Sequence, residues 1–74
     1  MNLEIGKEYI INHCRKGTFC AKLLKDGEFI TVAITKGRAH YISMMNAGMG
    51  CVGDHITIKK SFCTFNEVKK WAKN

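Results

Sequence analysis

Acidic residues are scarce in this chain. Six Asp and Glu stand against 12 Lys and Arg, leaving a net charge of +6 on 74 residues. That is more than solubility alone requires and points toward anionic partners. Long apolar runs are also missing: none approaches the ~20 residues of a membrane span. Glu4 and Lys7 interrupt the start, where a secretory leader would carry its apolar stretch. The expectation is a soluble cytoplasmic protein with no membrane partner. Cys14, Cys20, Cys51 and Cys63 include no Cys-x-x-Cys pair, the usual chelating spacing of structural zinc. They read as free thiols that behave as small hydrophobes in a reducing compartment, with no metal site.

Catalytic signatures are lacking too. His13, His40 and His55 have no carboxylate or serine at triad spacing. The run Gly48-Met49-Gly50-Cys51-Val52-Gly53 spells G-x-G-x-x-G, but a strand follows it where a dinucleotide fold needs a helix. Gly48 and Gly53 have P-loop spacing as well, with Asp54-His55 in place of the Lys-Ser/Thr pair that contacts phosphate and magnesium. The segment reads as an inter-strand loop. Capture of a small nucleotide by its backbone amides is a distant alternative. No catalytic residue and no cofactor is expected, so the chain reads as a non-enzymatic binding protein. Repeats, linkers and low-complexity tracts are absent.

What is present is strand alternation. Thr18 to Leu24 alternates, Lys25-Asp26-Gly27-Glu28 turns, and Phe29 to Thr35 alternates again. Asp-Gly suits a two-residue type I′ turn. That turn would pair Lys25 with Glu28, Leu23 with Ile30, Ala21 with Val32 and Phe19 with Ile34. Phe19, Ala21, Leu23, Ile30, Val32 and Ile34 then share one wholly apolar face. An earlier strand over Lys7 to Asn12 puts Tyr9 and Ile11 inward, with Gly6 as a bend. Lys36-Gly37 reads as a second turn, leading to a strand that sets Ala39 and Tyr41 opposite Ile34 and Val32. His55 to Lys60 alternates with Ile56 and Ile58 inward. Thr64-Phe65-Asn66-Glu67 matches a capping box, and Phe65, Val68, Trp71 and Ala72 form an apolar stripe on a short helix that ends among Lys69, Lys70 and Lys73.

The expected fold is therefore mainly β: a single domain over 1–74, with a small five-stranded barrel of SH3-like type over 5–60 and a C-terminal α-helix over 64–73. A chain this short buries only about 60% of its unfolded surface. An OB-type barrel is the second choice, but it usually needs longer strands. The segments GKEYII, RKGTF, GEFITVAITKGRAHYIS and GDHITIKKSF, within roughly residues 6 to 67, resemble small uncharacterised bacteriophage proteins of the SH3-like barrel type. The resemblance implies a phage or prophage origin, action in the host cytoplasm and an accessory role toward the host.

Basic residues carry most of the functional content. Lys22, Lys36 and Arg38 fall on or beside the outward sheet face, Arg15 and Lys16 in the loop before it, and Lys59 and Lys60 on the last strand. Lysine and arginine contacts to phosphate supply most non-specific nucleic-acid affinity. The leading expectation is binding of nucleic acid, DNA or RNA, through these seven residues. Leu24, Phe29, Ile42 and Met44 instead form an outward apolar set, which suits a protein interface. The competing expectation is an inhibitor of a host protein, such as a nucleic-acid enzyme or defence complex, acting as a monomer or homodimer.

Overall fold

The structure, a computed structural model, describes residues 3–40 and 50–68. Five strands follow one another: β1 (Glu8–His13), β2 (Gly17–Lys25), β3 (Phe29–Gly37), β4 (His55–Lys59) and β5 (Cys63–Glu67), with a 3-10 turn over Lys60–Phe62 between the last two. They form one antiparallel sheet in the order β4-β3-β2-β1-β5. No ladder joins β4 to β5, so the sheet is open rather than a closed barrel.

The sheet is nonetheless strongly curled. Its two edge strands are consecutive in the chain, and four strand spacings would put them about 19 Å apart if the sheet were flat. The link from Lys59 to Cys63 can span at most about 14 Å. Curling resolves the mismatch and brings the end of β4 to the start of β5. Two register irregularities assist it, one between Leu23 and Lys25 and one between Cys20 and Ala21. Each adds an unpaired residue and sharpens the local twist.

Tyr9, Ile11, Phe19, Ala21, Leu23, Ile30, Val32, Ile34, Ala39, Ile56 and Ile58 fill the concave side, with Leu3, Cys63 and Phe65 packed at its margin. These are the expected inward residues of the central hairpin, of β1 and of β4. The hairpin pairing itself differs. Ala21 opposes Ile34 and Leu23 opposes Val32, two residues away from the expected partners. A two-residue slip leaves side-chain parity unchanged, so the apolar face survives intact. The slip arises because Asp26–Glu28 make a wider loop than a type I′ turn. Asp26 Oδ1 accepts the Gly27 amide at 2.8 Å and the Lys60 ammonium at 3.0 Å, while the Lys60 amide donates to Glu28 O at 2.9 Å. The loop is shaped by the far end of the chain.

Two expected elements are corrected. Lys36-Gly37 is not a hairpin turn. The partner of β3 is β4, with Ala33 opposite His55 and Val32 opposite Ile56. Gly37, at φ +80°, lies so close to Phe19 that an added Cβ would sit 3.4 Å from its Cα. The chain then leaves as Arg38–His40, outside the sheet, and buries Ala39. Tyr41, Ile42 and Met44 lie outside the described residues.

The capping box is not the start of a helix either. Cys63–Glu67 is β5, paired with β1 through Tyr9↔Glu67, Ile11↔Phe65 and His13↔Cys63. Five ladder positions on a free edge outweigh the two reciprocal hydrogen bonds of a capping box, and a short helix is marginal without docking. Phe65 packs edge-on against Tyr9, with ring centroids 6.2 Å apart. Among the described residues there is no α-helix. The rest of the expected helix, including Trp71 and Lys69, Lys70 and Lys73, lies outside them.

Candidate nucleic-acid interface

The β1–β2 turn is organised by a histidine. Nδ1 of His13 accepts the backbone amides of Arg15 (3.0 Å) and Lys16 (3.2 Å), which requires the ring to be neutral at that nitrogen. His13 is 5% exposed. Burial first, and the charges of Lys16 and Arg15 second, hold its pKa below the ordinary histidine value. The turn thereby presents Arg15 to solvent, whereas Lys16 is buried at 9% exposure, so little of it is available to a ligand.

Hydrogen bonds tie two distant segments to this turn. The His40 amide donates to Lys16 O at 3.0 Å, which lays Arg38–His40 alongside it. The Cys14 amide donates to Phe62 O at 3.1 Å, which attaches the 3-10 turn on the other side. Arg15, Arg38 and the Lys59–Phe62 corner are thus joined along one rim. Residues 12–25 and 29–40 contain no Asp or Glu, so the part of the rim made by the turn and the exit of β3 is free of acids. Lys36, exposed and opposite Cys20, extends it onto the convex face.

The corner combines charge with aromatic surface. Lys59 sits directly across from Phe29 in the β3–β4 ladder, and its ammonium lies 5.5 Å from the centroid of Phe62. Phe29 is 50% exposed and Phe62 49%. The Phe62 ring meets that of His13 edge-on, with centroids 5.9 Å apart. A cation over an exposed ring contributes only about 0.5–1 kcal/mol, against ~1–3 kcal/mol for a nucleobase stacked on an aromatic side chain. Lys60, beside it, is occupied by Asp26.

Lys22 stands apart from the rim. It opposes Glu8, whose Oε2 accepts the Thr35 hydroxyl at 2.5 Å. Gly6, Lys7, Glu8, Lys22, Thr35 and Val68 line a shallow depression of about 480 Å³ there. Lys7 pairs with Glu67 at 2.9 Å and Glu4 at 3.7 Å. This end of the sheet mixes both signs of charge and offers a phosphate less than the rim does. The seven basic residues therefore divide: Arg15, Lys36 and Arg38 are exposed on or beside the rim, Lys59 is half-buried there, Lys60 is paired, Lys22 lies elsewhere and Lys16 is buried.

Three amides of the glycine loop are taken by acceptors within the chain. The Cys51 amide donates to Asp54 Oδ2 at 3.0 Å, Gly53 N to Ile34 O at 2.8 Å and Asp54 N to Cys51 O at 2.9 Å. The Asp54 carboxylate thus engages one of the loop amides. Gly48 and Met49 lie outside the described residues.

Of the apolar set, Phe29 is exposed, Leu24 is half-buried beside the hairpin irregularity, and Ile42 and Met44 are not described. Phe62 is the residue that sequence reasoning missed. Its one sequence signal is the break in alternation after Lys59, which places an aromatic residue on a turn instead of in a strand. The four cysteines are free thiols. Burial, together with nearby Cys14, pushes the Cys63 thiol up to about 11.

Among the described residues no helix is long and apolar enough to cross a membrane. No model of a protein family, no curated protein and no solved structure matches the chain. These comparisons do not bear on the resemblance to phage proteins.

Proposed function

We propose that the protein is a non-enzymatic binding module of the small SH3-like barrel type whose basic rim holds nucleic acid through phosphate contacts. The observation that carries this reading is the pair of backbone hydrogen bonds, His40 to Lys16 and Cys14 to Phe62, that joins three distant basic segments into one rim. The strand order, with a 3-10 turn linking the two edges, supports the barrel type. Arg15, Arg38, Lys36 and Lys59 are the phosphate contacts; Lys22 contributes less because Glu8 faces it. Such binding weakens linearly in log–log terms as salt rises. Fluorescence polarisation with labelled DNA and RNA across a salt series tests it. Steep salt dependence is expected, and no binding at low salt would overturn the reading.

A second reading takes exposed Phe29 and half-buried Leu24 as contacts for a host protein. A specific protein that co-purifies from host lysate after nuclease treatment would favour it over the first.

A further inference from the structure

We propose that the corner formed by Phe29, Lys59 and Phe62 is a base-stacking platform that selects single-stranded nucleic acid over duplex. This inference rests on the nucleic-acid reading above and adds the class of ligand. Phosphate contacts need cations and no aromatic surface, yet two phenyl rings, each about half exposed, flank one lysine here. The rings come from neighbouring elements, the start of β3 and the 3-10 turn that follows its ladder partner β4. Phe62 is held edge-on by His13, itself buried, so the ring has a defined orientation before any ligand arrives.

Lys59 over Phe62 occupies the position a base would take. A stacked base displaces the ammonium, which is then free for the adjoining phosphate. Arg15 continues the cationic track, because Cys14 is bonded to Phe62 O. In a duplex the base faces are already stacked on one another and cannot reach either ring. Selection for single strands follows from that geometry and is tolerant of sequence, since every base has a π-face.

The test measures the affinity of the full chain for an oligothymidylate of about 15 nucleotides, enough for one small barrel, and for a duplex of equal length at matched salt. The wild-type protein is expected to bind the single strand at least about tenfold more tightly. Phe62→Leu and Phe29→Leu keep apolar volume but remove the π-face. Each is expected to weaken single-strand binding by about 5- to 150-fold while leaving duplex binding and the salt slope unchanged. Phe62→Tyr restores the ring and is expected to bind as the wild type does, which separates stacking from any loss of fold. Equal affinity for both ligands, or undiminished single-strand binding by the leucine variants, would overturn this inference and leave the phosphate reading standing. No binding of either ligand, including the case where the same surface captures a protein, would overturn both.

Discussion

His13 couples the turn that carries Arg15 to pH. Its Nδ1 accepts two backbone amides, and protonation at that atom would cancel both bonds within a buried site. The folded-state pKa lies below the unfolded value of about 6.5. The contribution of His13 to stability is therefore complete above that unfolded value and is lost as pH falls through it toward the lower folded value. Thermal melts should drop between pH 7 and pH 5, and His13→Asn, which keeps an acceptor but does not titrate, should flatten that part of the profile. An unchanged slope in the variant would assign the drop to other groups. Cys63 offers a second residue-level check. With its thiol held near 11 by burial, it should resist alkylation at pH 8 in the native protein, while exposed Cys14 and Cys51 react. Peptide mapping after a short iodoacetamide pulse reads this directly. Gly37 is the third: Gly37→Ala should cost roughly 1–3 kcal/mol, because φ +80° is strained for any side chain, while the methyl would meet Phe19 at about contact distance. A chemical denaturation curve measures the loss.

At the scale of elements, β5 decides whether the sheet presents a free β1 edge. Its burial pattern is shallow, with Cys63 and Phe65 half-buried and Thr64, Asn66 and Glu67 exposed. The element is held by the ladder to β1 and by the Tyr9–Phe65 ring contact more than by deep burial. Phe65→Ala should therefore cost about 2 kcal/mol, below the ~3–5 kcal/mol of a fully buried phenylalanine. Native-state hydrogen exchange gives a sharper readout. Amides of β5 that face β1 should be protected alternately, as in an edge strand, whereas a helix starting at Thr64 would protect consecutive amides from Val68 onward. The corner at Lys60 is a joint between elements. Exposed ion pairs usually contribute little, but the Lys60 amide also caps Glu28 O, so the hairpin loop and the β4–β5 link are one unit.

At the scale of the whole molecule, charge is distributed unevenly over the curled sheet. Glu4, Glu8 and Glu67 gather with Lys7 and Lys22 at one end, while Arg15, Lys36, Arg38 and Lys59 lie toward the rim. The proposed binding mode makes a differential prediction from this asymmetry. The double reversal Arg15→Glu, Arg38→Glu should weaken binding to every sequence alike and reduce the salt slope by about 2. Lys22→Glu should do much less. A loss from Lys22→Glu half that of the double reversal, in proportion to the charge changed, would mean that net charge, rather than the rim, governs affinity.

The alternation of apolar residues, by itself, determined which side chains enter the core. Tyr9, Ile11, Phe19, Ala21, Leu23, Ile30, Val32, Ile34, Ile56 and Ile58 are buried because strand parity is a local property with period two. Composition likewise determined the positive charge. Pairing was another matter. The partner of β3, the two-residue offset of the hairpin and the use of Cys63–Glu67 as a strand each depend on residues far away in the chain. The cap signal at Thr64–Glu67 is worth about 1 kcal/mol, the turn signals at Asp26-Gly27 and Lys36-Gly37 are equally local, and a ladder on an open edge combined with core burial outweighs them. The candidate site divides the same way. Its cations were visible one by one, but the rim exists only after His40 meets Lys16 and Cys14 meets Phe62. The ring of Phe62 meets His13 only because a three-residue link between the edge strands accompanies the curl of the sheet.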